Sequence, residues 1–248
     1  MLWYWIIAFL SVIVEGFAGF GSTMLALPFL ALFMDVREGV ALLGVNALVT
    51  SAVLTFTQRK RINFKEFFKI VFLIVPFVPV GVFALGALSR YQGALKLVLG
   101  GVIGLVGAYD CYYVFLKKTE PKPLKRPAQL VALFSGAFIQ AMFSTGGALI
   151  TLYTSERMRD KGEFRATMSA VWLATNSVAI ALRAIFLELY PQSVRVNALK
   201  GLPFVVCGLL LGMFLHKRVD NTGFRKAIYL ILFFGGVATT AYTLATIL

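Results

Sequence analysis

Residues 15–28 read EGFAGFGSTMLALP and lie inside an apolar stretch that runs from Leu2 to Phe33. Gly16, Gly19, Gly21, Ser22, Thr23 and Glu15 are residue types that a plain helix in hydrocarbon avoids, so their clustering asks for a reason. The surrounding composition supplies the setting. With 59% hydrophobic residues, 14% charged residues and a mean hydropathy of +0.84, the chain is far from the balance of a soluble domain and reads as an integral membrane protein.

Eight apolar runs reach or approach the roughly 20 residues that cross a bilayer core. They are Leu2 to Phe33, Val40 to Thr57, Phe67 to Leu88, Leu97 to Leu116, Ala128 to Tyr153, Ala166 to Leu187, Gly201 to His216 and Ala227 to Leu248. The first lacks the basic start and polar cleavage region of a secretory signal and is too long for one, so it counts as structure. The loops between runs are too short to hide a soluble domain. A net charge of +13 raises the question of nucleic acid, but the basic residues fall in short clusters between apolar runs and are a topology signal instead. Cys111 and Cys207 sit in apolar stretches as packing residues, with neither a disulfide framework nor a metal site indicated. His216 is the one histidine and ends a run beside Lys217 and Arg218, which weakens any enzyme reading. No cofactor is expected, and no GxxxxGK[ST] motif supports ATP drive.

The chain also repeats itself. KKTEPKPLKRP at 117–127 holds three prolines and five basic residues and reads as a cytoplasmic linker between a first repeat at 1–116 and a second at 128–248. QAMFSTGGALITLY at 140–153 lies over EGFAGFGSTMLALP, matching Gly146 with Gly21 and opposing Gln140 to Glu15. VNALV around Asn46 mirrors TNSVA around Asn176, and Pro76 to Gly81 mirrors Pro203 to Gly208. Their common order in both halves points to an internal duplication.

Charge counting then sets the topology, because short loops rich in Lys and Arg stay in the cytoplasm. The loop with Arg59, Lys60, Arg61, Lys65 and Lys69 agrees with the linker after two ordinary crossings. In the second half, Arg157 to Arg165 and Lys217 to Lys226 are strongly basic, whereas the segment between Leu187 and Gly201 carries only Arg195 and Lys200. All strongly basic loops fall inside only if Ala128 to Tyr153 dips into the membrane and returns, broken at Ser144 to Gly147. By duplication, Leu2 to Phe33 does the same. The expected fold is all-α and polytopic: two inverted repeats, each one re-entrant broken hairpin plus three transmembrane helices.

A chain that reverses inside hydrocarbon leaves backbone N–H and C=O groups that lipid cannot satisfy, so such a break survives only beside protein, water or ligand. Gly19 and Gly21 permit the turn, and Ser22 and Thr23 sit where a new helix begins. Ser144, Thr145, Gly146 and Gly147 do so in the second half. Helix starts carry free N–H donors and the positive end of the dipole, so two of them facing each other form a cradle for an anion. The alternative is that the glycines only let helices pack, which does not call for clustered hydroxyls in both halves. The Gly100, Gly101, Gly104, Gly107 stripe has no polar neighbours and reads as packing.

Asn46 and Asn176 occupy equivalent places and are read as site residues, the alternative being interhelical bonding. Arg183 is a candidate intramembrane cation with Glu188 as its partner, or it snorkels to the interface. Glu15 has an acid in one repeat only, as a proton-coupling group or a cap on the broken backbone.

GFAGFGSTMLALP, STGGALITLY and FRATMSAVWLATN at 164–176 resemble the TauE/SafE family, also called the sulfite exporter or DUF81 family, over nearly the whole chain as two family repeats. The resemblance implies a carrier in the inner membrane that moves sulfite or sulfur-containing organic anions. This chain departs from the family pattern at Ser22, where many members have a further glycine, and at Ala148, where a proline is often found. The expected function is secondary transport of a small sulfonate, sulfite or carboxylate by alternating access; an anion channel and a non-transporting membrane subunit are the rival classes. An intramembrane hydrolase would need a base at depth beside Ser22 or Ser144, and no histidine supplies one.

Overall fold

The computed structural model describes residues 2–117, 125–154, 157, 158, 160–216 and 221–247. The proline-rich connection expected at 117–127 therefore lies outside the described residues over 118–124, as does the basic stretch 217–220. All regular structure among the described residues is helical: α1 (Leu2–Ala18), α2 (Ser22–Leu30), α3 (Val36–Gln58), α4 (Phe64–Ile74), α5 (Phe77–Ala87), α6 (Gln92–Cys111), α7 (Arg126–Phe143), α8 (Gly147–Thr154), α9 (Lys161–Leu187), α10 (Gln192–His216) and α11 (Asn221–Ile247).

Short polar side chains fix three of the helix starts by accepting bonds from otherwise unpaired N–H groups. Asp35 caps α3 through the Arg37 N–H at 2.9 Å, Asn63 caps α4 through Glu66 at 3.1 Å, and Asp160 caps α9 through Glu163 at 2.7 Å. Five helices among the described residues, α3, α6, α9, α10 and α11, are long and apolar enough to cross a membrane, and α4 with α5 makes a sixth if that pair, bent by 42°, is one span. Phe67 to Leu88 thus differs from the plain span expected. Pro76 has no N–H to give the helix and its ring crowds the preceding turn, which accounts for the bend. The run expected to begin at Gly201 begins at Gln192, so Arg195 and Lys200 stand inside α10 and the turn after α9 shrinks to 188–191.

Burial is inverted relative to a water-soluble protein. Glu15, Asn46, Gln140, Asn176 and Arg183 are buried, whereas Phe68, Phe72, Leu105, Ile185 and Phe234 are exposed. A surface of this kind suits lipid as its solvent. Cys207 belongs to that exposed surface and not to the packed interior expected for it.

Helix directions follow from the cross-chain contacts. Arg37, at the start of α3, donates through Nη2 to the Leu187 carbonyl at the end of α9 (3.1 Å), while Asn63, just past α3, bonds Thr167 and Glu163 at the start of α9. These two helices are therefore antiparallel. α6 and α11 are antiparallel too, with Gly100 against Thr240 and Gly107 against Phe233. By contrast α1 and α10 run parallel, Tyr4 meeting Gly201 and Phe9 meeting Gly208; so do α5 and α7, where Phe77 stacks on Phe134 at 5.0 Å and Gly81 presses on Phe138 and Met142.

The glycine stripe of α6 divides by position. A Cβ on Gly107 would meet the backbone of Phe233, its Cα at 2.7 Å, whereas one on Gly101 would meet nothing within 4 Å. Gly107→Ala is expected to lower the thermal unfolding temperature in detergent by several degrees, because helix backbones must separate. Gly101→Ala is expected to leave it unchanged or raise it, since alanine is the better helix former.

Candidate functional site

Two breaks in the helices create the site. α1 ends with the Gly19 N–H still bonded to the Glu15 carbonyl at 2.7 Å; Gly19 (φ 88) and Gly21 (φ 106) then take left-handed conformations that release the chain into α2. In the second half Ser144 takes the left-handed position (φ 60), its N–H on the Gln140 carbonyl at 2.7 Å, and α8 starts three residues later. A non-glycine residue in that conformation is uncommon and needs support. Arg183 provides it by donating through Nη1 to Ser144 Oγ at 3.2 Å. After this break the chain doubles back, bringing Leu149 and Ile150 against Gly136 of α7.

The two breaks line a cavity of about 30 Å³, enough for a couple of waters. Phe20, Gly21, Ser22, Thr23 and Met24 form one wall; Ser144, Thr145, Gly147 and Ala148 form the facing wall. Glu15, Ala47, Gln140, Trp172 and Asn176 close the sides. The start of α2 has no side-chain cap, so its first N–H groups are open. Thr145 Oγ1 and Trp172 Nε1 are buried at the cavity with no hydrogen-bond partner. Buried polar atoms are nearly always paired, and these two belong to a set of nine unpartnered ones among the described residues that also includes Asn46 Nδ2, Thr55 Oγ1 and the Tyr190 hydroxyl.

The carboxylate is already engaged. Glu15 accepts from the Ser22 hydroxyl on one oxygen and from Thr50 Oγ1 on the other at 2.5 Å. Ser22 therefore spends its hydroxyl proton on Glu15 and keeps only its backbone N–H for a ligand. Across the cavity Gln140 Nε2 donates to Asn176 Oδ1 at 3.5 Å.

Not every residue singled out in the sequence reaches the cavity. Glu15, Gly21, Ser22, Thr23, Ser144, Thr145, Gly147 and Asn176 line it. Asn46 stands behind Ala47, its Oδ1 accepting from the Tyr4 hydroxyl at 3.0 Å and its Nδ2 unpartnered. Gly19 faces the side chain of Arg165, and Gly146 is pressed between the Gly136 carbonyl and Gln140, so both shape the breaks from outside the cavity. Arg183 is fully buried and does not snorkel. It bonds Ser144 and, through Nη2, the Ala141 carbonyl at 2.7 Å, not Glu188, which closes α9 in a left-handed conformation.

Sequence reasoning missed Trp172 and Arg165. In the sequence Arg165 belongs to a basic loop, yet its guanidinium Nη2 donates to the Gly16 carbonyl and interacts electrostatically with Glu15. A signal for both existed: 165, 172, 176 and 183 are spaced by 7, 4 and 7, which places them on one face of a helix.

Comparison with known proteins adds an independent line. The profile of the family described as "Sulfite exporter TauE/SafE" matches residues 4–239. A protein from Comamonas testosteroni described as "Probable inner membrane transporter protein TsaS" is 26% identical over 104 residues, which cover 42% of this chain and 44% of that protein. The chain thus spans less than half the length of that relative. No solved structure matches significantly.

Proposed function

The chain belongs to the TauE/SafE sulfite exporter family, a family of transporters and not of enzymes, and from that premise we propose that it is a secondary transporter of a small sulfur-containing anion, sulfite or a sulfonate. The anion would sit in the cavity between the two breaks. One observation carries this reading: the cavity is walled by two helix starts and lined by two residues with a buried unpartnered donor, Thr145 through Oγ1 and Trp172 through Nε1, while its one carboxyl group is occupied by Ser22 and Thr50. Such a surplus of donors suits an oxyanion.

The inverted repeat is part of the same proposal, and the helix directions support it. Exchanging the halves maps α3 onto α9 and α6 onto α11, and both pairs are antiparallel, as elements of opposite orientation must be. It also maps the α5–α7 contact onto the α10–α1 contact, and both are parallel, with Phe77 on Phe134 answered by Phe204 on Trp5 at 6.0 Å. The bonds from Asn63 to α9 put the 59–69 and 160–165 loops at one end of the molecule, in keeping with a shared cytoplasmic side of an inner membrane. On this arrangement α1–α2 and α7–α8 are the re-entrant hairpins, and rocking of one bundle against the other opens the cavity to each side in turn. Glu15 is the group through which a proton would be coupled, as the carboxylate at the cavity wall.

Counterflow in proteoliposomes tests the proposal. Purified protein is expected to exchange sulfite or methanesulfonate with saturable kinetics and to gain thermal stability in their presence, and a pH gradient imposed in the same assay reads the coupling. Electrodiffusive currents, or no response to either anion, would count against a carrier of this class.

A further inference from the structure

Breaking a helix brings two ends together, and their fields oppose. The last turn of the first arm carries about −0.5 charge and the first turn of the second about +0.5, so an anion between them gains little unless the negative end is cancelled. In this protein a cation sits on each negative end. Arg165 donates to the Gly16 carbonyl in the last turn of α1, and Arg183 donates to the Ala141 carbonyl in the last turn of α7. Gly16 follows Glu15 and Ala141 follows Gln140, so the two arginines bind the same carbonyl of each break. Both belong to α9 and lie 18 residues apart, five turns or about 27 Å, on the face that presents Trp172 and Asn176 to the cavity between them. Neither lines the cavity, so neither touches the ligand. Arg165 also interacts electrostatically with Glu15.

We propose that Arg165 and Arg183 are a matched pair of positioning residues that cancel the negative ends of α1 and α7, so that the positive starts of α2 and α8 act unopposed on an anion and favour the more highly charged one. The inference rests on the anion reading above. Calorimetric titration of the full-length protein with sulfite, largely divalent in mildly alkaline buffer, and with monovalent methanesulfonate tests it. Arg165→Gln and Arg183→Gln are each expected to weaken sulfite about tenfold and methanesulfonate about threefold, because an electrostatic contribution scales with ligand charge. Arg→Lys at either place is expected to recover most of the sulfite affinity. An equal loss for both probes, or lysine variants no better than glutamine variants, would overturn the proposal and leave the arginines as props for the breaks. If Arg183→Gln fails to fold, the half-buried Arg165 decides by the same ratio. Wild-type protein that binds neither probe overturns the anion reading itself, a result that needs no variant.

Discussion

Gly146→Ala is expected to yield no stably folded protein, while Gly21→Ala, at the matched position of the other half, yields folded protein of modestly lower stability. The difference lies in what the new methyl meets. At Gly146 a Cβ would run into the Gly136 carbonyl oxygen and stand 2.6 Å from the Gln140 nitrogen and 2.8 Å from its Cβ. Those atoms belong to α7, whose backbone cannot yield without giving up its own ladder of bonds, so α7 and α8 must part. Parting them opens the cluster in which Leu133, Ala137, Ile150, Tyr153 and Trp172 are packed. Overpacking against backbone with loss of that cluster places the cost in the rare class above about 4 kcal/mol. At Gly21 a Cβ meets nothing within 4 Å, and the penalty is the left-handed backbone alone (φ 106), about 1–2 kcal/mol. Fluorescence-detected size exclusion with thermal challenge separates the two. A Gly146→Ala protein that melts with the wild type would mean that α8 does not lie on α7 as described.

That contrast shows what sequence reveals and what it hides. The breaks were legible because glycines and hydroxyls inside apolar runs are local anomalies, and they fall at Gly19–Gly21 and Ser144–Gly146, within the segments the sequence points to. Which glycine turns the chain, which faces the cavity and which meets a neighbouring helix was not legible, since each depends on how arms pack against each other. The same holds for the asparagines. Asn46 and Asn176 read as a matched pair in the sequence, but they lie 130 residues apart where Gly21 and Gly146, like the caps Asp35 and Asp160, lie 125 apart, so they are out of register, and one takes Tyr4 as its partner behind the cavity while the other takes Gln140 at its wall. The bend at Pro76 was hidden by a run of even hydropathy, its proline noticed as a repeat marker alone. Arg165 was hidden by its company, because a cation beside other cations near a span end looks like a topology signal until its guanidinium is seen on the Gly16 carbonyl at the end of α1.

Thr145→Val is expected to raise the stability of the empty protein while weakening its ligand, and Thr145→Val with Trp172→Phe is expected to weaken that ligand about a hundredfold or more. The opposite signs follow from an unpaired donor. Thr145 Oγ1 is buried with no partner, so in the empty protein its hydroxyl carries an unreturned desolvation cost of about 1–3 kcal/mol, and an isosteric methyl removes it. With an anion in the cavity the same hydroxyl donates to a charged acceptor, a bond worth about 1.5–3 kcal/mol, and the Trp172 N–H supplies another. Losing both therefore costs at least a factor of ten each, provided they act on one ligand. Phenylalanine keeps most of the ring that Trp172 packs among Val171, Ile150 and Met168, so the double variant remains foldable, although the smaller ring offsets part of the stability gained at 145. Thermal unfolding without ligand and saturation of counterflow with sulfite read the two effects separately. If Thr145→Val lowers stability and leaves affinity unchanged, the hydroxyl has a structural partner in the membrane-embedded protein and the cavity is not where the anion binds.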